Sequence, residues 1–265
     1  MTSPAAAPGA GGPVVEIEDD GAVRVLRLNR PEARNAFDAA LYQALTTALD
    51  EAAADDAVHV VVVTGNGPAF SAGQDLKEMA RIVNGEASPE AARGFQGLLD
   101  TVGRFDKPLL AAVNGVGVGL GFTLLLHCDM VFMAEGARLR VPFAELGVPP
   151  EAASSALFPL TLGWQRASYL LFTGAWLGAA DAVAAGVALA VHAADALMEE
   201  TMAVARTVAG APLEALRTSK RLLLAHRAPV VAEARRLEEA AFARLLGTDA
   251  NVAALDRFGS TGRLT

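Results

Sequence analysis

Cysteine is almost absent from this chain. Cys128 is the only one, so no internal disulfide framework can form, and the composition suits a reducing compartment such as the cytoplasm. A lone cysteine of this kind reads as a buried, inert thiol. Positive charge is also short: Lys and Arg total 22 against 30 Asp and Glu, for a net charge of −8. That balance disfavours nucleic acid and anionic membrane surfaces as partners, although local donors can still hold a small anion. No apolar run approaches the length of about 20 residues that a membrane span needs. Stretches such as Val60–Thr64 and Leu124–Leu126 are strand-sized or shorter. The opening "MTSPAAAPGAGGP" has neither the charged start nor the apolar stretch of a signal peptide. It reads as a flexible tail over residues 1–13. The four histidines, His59, His127, His192 and His226, are scattered without ligand spacing, so no zinc or other metal site is expected.

What is present is a globular α/β pattern. The chain has 265 residues, 52% of them hydrophobic, which is enough for a sizeable core. Val14–Ile17 and Val23–Asn29 alternate around "DDGA" and predict a hairpin. Asp38 is placed to cap a helix through about Ala53, with Leu41, Leu45 and Leu49 on one face. "VHVVVVTG", "KPLLAAVNG" and "MVFMA" are short β-branched or apolar runs that read as buried strands. Helical stretches between them imply an α/β layer with crossover connections. From about Trp164 the pattern becomes helical, and Ala196–Val208, Leu213–Leu224 and Ala232–Leu246 predict successive amphipathic helices. The expected division is a tail at 1–13, a core at 14–191 and a helical region at 192–265.

Two glycine-rich segments follow buried strands: "GNGPAFSAGQDLK" at 65–77 and "NGVGVGLGFTLLL" at 114–126. Small residues where a chain leaves a sheet and enters a helix expose backbone N–H groups at the positive helix end. Such a place suits a phosphate or an oxygen acquiring charge, and close helix–strand packing alone would also explain it. No Gly-Lys-Ser/Thr follows either loop, and the alternate spacing of Gly115, Gly117, Gly119 and Gly121 does not fit G-x-G-x-x-G. Neither a triphosphate loop nor a dinucleotide fingerprint is supported. There is no G-x-S-x-G nucleophile elbow.

The stretches "LNRPEARNAFD", "VVVTGNGPAFSAGQDLKEM", "KPLLAAVNGVGVGLGFTLLLHCDMVF" and "PFAELGVPPEAASS" resemble, in order, those of the enoyl-CoA hydratase/isomerase, or crotonase, superfamily. The resemblance runs continuously from about Val14 to Val191 and more loosely beyond. It implies a spiral of β-β-α turns with C-terminal helices that drive trimer or hexamer assembly. It also implies an acyl-CoA thioester as substrate, with no cofactor besides the coenzyme A it carries. The oxyanion donors map onto the backbone N–H groups of Gln74 and Leu120. A leucine in left-handed conformation would cost about 1–2 kcal/mol, so Leu120 is expected at a right-handed helix start. Adenine and pantetheine contacts map onto Ala33, Arg34 and Ala36, and onto Ala72, Asp75, Leu76 and Lys77. Arg34 could pair with a CoA phosphate or stand as a solvated surface residue.

The two carboxylates that hydratases use map onto Thr123 and Phe143, neither of which can act as a general base. Glu151, in "GVPPEAASS", instead resembles the catalytic glutamate of peroxisomal-type Δ3,Δ2-enoyl-CoA isomerases. Phe122, Thr123, Phe143 and Pro150 are the expected acyl-pocket residues around it. Met79, Ile82 and Phe95 could line a tail pocket or belong to ordinary core. Glu151 could otherwise be a favourable charge at a helix start, and Glu145 reads as a solvated or structural residue. The expected activity is isomerisation of 3-enoyl-CoA with Glu151 as proton shuttle. A non-catalytic acyl-CoA-binding protein and a hydratase with a different acid–base arrangement stay open as alternatives.

Overall fold

The computed structural model describes residues 12–86 and 89–261. Nearly all of the expected N-terminal tail lies outside them. The chain opens with β1 (Val15–Asp20) and β2 (Val23–Leu28), paired antiparallel, and then α1 (Ala39–Ala54). Two strands and helices recur three times. First come β3 (Val60–Gly65), β4 (Ala69–Ser71), α2 (Leu76–Val83) and α3 (Pro89–Arg104). Next are β5 (Leu109–Val113), β6 (Val116–Val118) and the single turn α4 (Leu120–Thr123). Then follow β7 (Met130–Ala134), β8 (Arg138–Arg140), α5 (Ser154–Leu162) and α6 (Trp164–Thr173). The chain finishes with β9 (Leu177–Gly178), α7 (Ala179–Ala184), β10 (Ala190–His192), α8 (Leu197–Ala209), α9 (Leu213–Leu245) and α10 (Asp249–Thr261).

Each repeat gives its first strand to one sheet and its second to another. The sheets run β1-β2-β3-β5-β7-β10 and β4-β6-β8-β9, and the contributions from successive repeats pair in parallel. A crossover of fixed hand repeated in this way makes a spiral of ββα turns. The buried runs read from the sequence are its inner strands: all residues of β3 and β5 are buried. Parallel strands covered on both faces need this apolar continuity. α1 begins where expected, with the Asp38 carboxylate accepting from Leu41 N–H at 2.9 Å. Its far end is tied down by the buried Lys107 ammonium, which donates to the carbonyls of Ala52 and Asp55, both at 2.7 Å.

One expectation is corrected. The helices expected at Leu213–Leu224 and Ala232–Leu246 are a single helix, α9, which runs through Pro229. Proline removes one N–H and so orphans the carbonyl four residues earlier. That residue, Ala225, is exposed, so water can take the carbonyl and the helix continues. No helix among the described residues is long and apolar enough to cross a membrane.

Candidate active site

The two glycine loops meet. Gly73 has φ +81°, and a Cβ placed on it would lie 2.4 Å from the Val118 carbonyl oxygen and 3.2 Å from the Leu120 nitrogen. Only a residue without a side chain lets the first loop approach the start of α4 this closely. The first loop is held by the segment after β2. Phe37 donates to the Gly73 carbonyl at 2.7 Å and accepts from Asp75 N–H at 2.9 Å. In that parallel bridge Phe37 bonds the two neighbours of Gln74, leaving the Gln74 N–H outside the ladder. Across the junction Gly119 takes the left-handed φ of 54°, and Leu120 starts a right-handed turn, as expected. Its N–H belongs to the first helical turn, which has no intrahelical acceptor. Among the described residues neither the Gln74 nor the Leu120 N–H donates to a protein acceptor.

The same contacts unite the segments expected to touch coenzyme A. Ala72 N–H donates to the Arg34 carbonyl at 2.9 Å, placing residues 33–36 beside residues 72–77. Arg34 adopts φ 52° and is exposed, as is Lys77. Ala36 is buried. The Asp75 carboxylate is turned inward to cap α2 at the Lys77 N–H, 3.0 Å away, and lies 3.5 Å from Arg30.

Beyond Gln74 opens a cavity of about 370 Å³. Met79, Ile82, Phe95, Leu99, Phe242 and Leu246 give it an apolar wall, and Gln74, Pro150 and Glu151 lie on it together. The three candidate tail residues therefore face a cavity. Of the four expected acyl-pocket residues only Pro150 does. α4 turns into the interior, so Phe122 packs against Phe158 with ring centroids 4.9 Å apart. Thr123 and Phe143 are buried in the core, away from the cavity lining, and the Thr123 hydroxyl has no partner among the described residues. Glu145 is an ion-pair partner of Arg140 and does not line the cavity.

Glu151 sits where the chain makes an unusual turn. Ala152 and Ala153 have φ 58° and 60°, two consecutive left-handed residues that are not glycine. Each carries a cost of about 1–2 kcal/mol, so the surroundings must hold them. His127 Nε2 lies 2.8 Å from the Ala152 carbonyl. A carbonyl only accepts, so that nitrogen carries the proton, and burial holds the His127 pKa down at about 4. On the other side, Ala153 N–H and Ser155 N–H both donate to the Glu238 carboxylate at 2.7 Å.

Burial pushes the Glu151 carboxyl up to about 8, and the nearby Glu238 charge adds to the effect. Glu238 is also raised, by burial, against the pull of its two amide donors. Beneath the cavity the Tyr42 hydroxyl donates to Gln74 Oε1 at 2.5 Å. Burial first, then the charge of Glu151, keep that phenol protonated. Burial pushes the Cys128 thiol up to about 12, so it stays protonated at neutral pH.

With this geometry in place, the relatives can be named. The model of the enoyl-CoA hydratase/isomerase family matches residues 18–262. The chain belongs to that family. A probable enoyl-CoA hydratase of Rhizobium meliloti (strain 1021) is 34% identical over 88% of this chain and 90% of its own length. Enoyl-CoA delta isomerase 2 of Rattus norvegicus is also 34% identical over 78% of this chain, which spans 53% of that longer protein. The crystal structure of an enoyl-CoA hydratase/isomerase from Pseudoalteromonas atlantica T6c superposes with TM-score 0.85 at 33% identity, covering 94% of this chain and 98% of that one. The crotonase fold and the processing of acyl-CoA are therefore those of the family, and both hydratase and isomerase names occur among the relatives.

Glu238, Arg235 and Tyr42 carry no signal in the sequence that marks them as site residues. Glu238 lies in "RRLEEAAF", which reads as a solvated helix face, and only the register of α9 against the core turns it inward.

A carboxyl raised from 4.5 to about 8 is protonated in the fold across a range where the unfolded chain has lost the proton. Wild-type stability should therefore fall as pH rises from about 4.5 to about 8. Glu151→Gln should remove this slope and be the more stable form above pH 8, as read from urea midpoints across pH. Parallel curves for the two proteins would contradict the burial of this charge.

Proposed function

We propose that this protein is a Δ3,Δ2-enoyl-CoA isomerase in which Glu151 moves the proton. The observation that carries the reading is the desolvated Glu151 carboxyl on the largely apolar cavity wall, beside Gln74, while positions 123 and 143 hold no carboxylate. In this reading the thioester oxygen lies between the N–H groups of Gln74 and Leu120. Coenzyme A runs along Ala33, Arg34 and Ala36 and along Ala72, Asp75, Leu76 and Lys77, and the acyl tail enters among Met79, Ile82 and Phe95.

The Glu151 carboxylate takes a proton from C2. The C2–H electron pair becomes the C1–C2 double bond of an enolate, and the thioester π pair moves onto oxygen, where the two amides receive the charge. When the enolate collapses, C2 and C3 become double-bonded. The former C3–C4 pair takes the proton back at C4 from the Glu151 carboxylic acid. Each amide donor in a comparable site contributes about 2.7–4 kcal/mol. The raised pKa makes the carboxylate a stronger base than a solvated one.

The hydratase name of the bacterial relative favours a second reading, addition of water to 2-enoyl-CoA. The two are separated by one assay. Given 3-enoyl-CoA, the protein should generate the ultraviolet absorbance of the conjugated thioester, whereas 2-enoyl-CoA in water should keep its absorbance. Because the carboxylate is the active form, kcat/KM should rise with pH to a plateau with a midpoint near the Glu151 value of about 8. Glu151→Gln should abolish turnover while the protein stays folded. Unchanged turnover in that variant, or rapid loss of 2-enoyl-CoA absorbance, would overturn the reading.

We also infer assembly into a homotrimer or hexamer in the cytoplasm. Leu160 (69% exposed), Trp164 (75%) and Phe172 (76%) are large apolar side chains left exposed on the packed helices α5 and α6, which supports a subunit contact there. Light scattering should give three or six times the chain mass, and Phe172→Glu should lower it. A monomeric wild type would contradict the assembly.

A further inference from the structure

Glu238 stands at the meeting of three features that the reaction above does not use. It is 6% exposed, it comes from α9 rather than from the spiral, and its two oxygens each take one backbone N–H from the turn that follows Glu151. Those donors, Ala153 and Ser155, flank Ser154, whose own N–H donates back to the Glu151 carbonyl at 3.0 Å. The turn is thus closed on itself, gripped through the Ala152 carbonyl by His127 and through two amides by Glu238. Glu238 also lies on the cavity wall with Glu151.

We propose that Glu238 is a positioning residue for Glu151, holding the left-handed Ala152–Ala153 turn that aims the Glu151 carboxyl into the cavity. The proposal rests on Glu151 being the proton carrier. The residue type follows from the geometry. Two N–H donors need two acceptor oxygens at one place, which a carboxylate has and a carboxamide lacks. A glutamine there would set its own NH2 against a backbone N–H. Through Glu238, α9 thereby becomes part of the catalytic apparatus.

Glu238 has a second effect on the same group, because its charge faces Glu151 across the cavity. The other titratable or charged groups around this pair are Arg235 and Glu239 on α9, the Tyr42 phenol on α1, Glu78 on α2 and the neutral His127 after α4. Arg235 is engaged by Asp100 and Gln96, each at 2.7 Å. Removing the Glu238 charge should therefore lower the Glu151 titration midpoint.

The test compares wild type, Glu238→Gln, Ala153→Gly and the double variant. Each is checked for folding by circular dichroism and titrated by carbon-13 NMR with labelled glutamate, the Glu151 signal being assigned from Glu151→Gln. Glu238→Gln should lower kcat for 3-enoyl-CoA by about 100-fold, the scale of a small misplacement of a reacting group. KM should change little, and the Glu151 midpoint should move to lower pH. Glycine takes a left-handed φ freely, so adding Ala153→Gly should restore part of the lost kcat. If Glu238→Gln melts below the assay temperature, the double variant is compared with Ala153→Gly on the same readouts. Unchanged kcat and an unchanged Glu151 titration would overturn the proposal, as would a loss of rate that Ala153→Gly leaves untouched. The NMR titration needs no turnover. If Glu151→Gln retained full activity, the isomerase reading would fall while the titration still decided whether Glu238 controls the Glu151 carboxyl.

Discussion

Desolvation of the Glu151 carboxyl is the interaction on which the rest of the site depends. In water this group would be an ordinary weak base. On the wall of a cavity lined by Met79, Ile82, Phe95 and Phe242 it cannot hold its charge cheaply, and its pKa rises to about 8. Everything around it can be understood as holding a costly group in place. Two alanines accept left-handed backbone, a buried neutral histidine holds one carbonyl, and a second buried carboxylate collects two amides. Strain of this kind persists only where the surroundings over-determine it.

The spiral explains how the chain can build such a place. Each ββα turn returns the backbone to the same edge of the molecule, so the ends of β4 and β6 deliver their loops side by side. Contact between Gly73 and the Val118–Leu120 corner then sets the two loops against each other. Family membership alone leaves hydratase and isomerase chemistry both open, and the proposed isomerase reading turns on which carboxylates face the cavity. Threonine at 123 and phenylalanine at 143 are both buried in the core away from the cavity, while Glu151 lies on its wall beside Gln74.

Much of this was legible in the sequence. The strands announced themselves as β-branched runs because parallel strands buried on both faces have no polar side to show. Asp38, the two glycine loops and Glu151 could be placed from local spacing and from the resemblance together. Two things were not legible, and for different reasons. The continuity of α9 through Pro229 depends on whether Ala225 can reach water, which is a tertiary matter. The inward aim of Glu238 and the burial of Phe122, Thr123 and Phe143 away from the cavity depend on how their segments dock, which adjacent sequence does not encode. A charged helix face and a face with one buried glutamate look alike until the helix is docked.

The most direct measurement is a crystal structure of the protein with a bound saturated acyl-CoA. The account predicts the thioester oxygen about 3 Å from both the Gln74 and the Leu120 nitrogens, with a Glu151 oxygen in contact with C2 and the tail between Met79 and Phe95. A thioester seated elsewhere, or a Glu151 side chain turned away from C2, would contradict it.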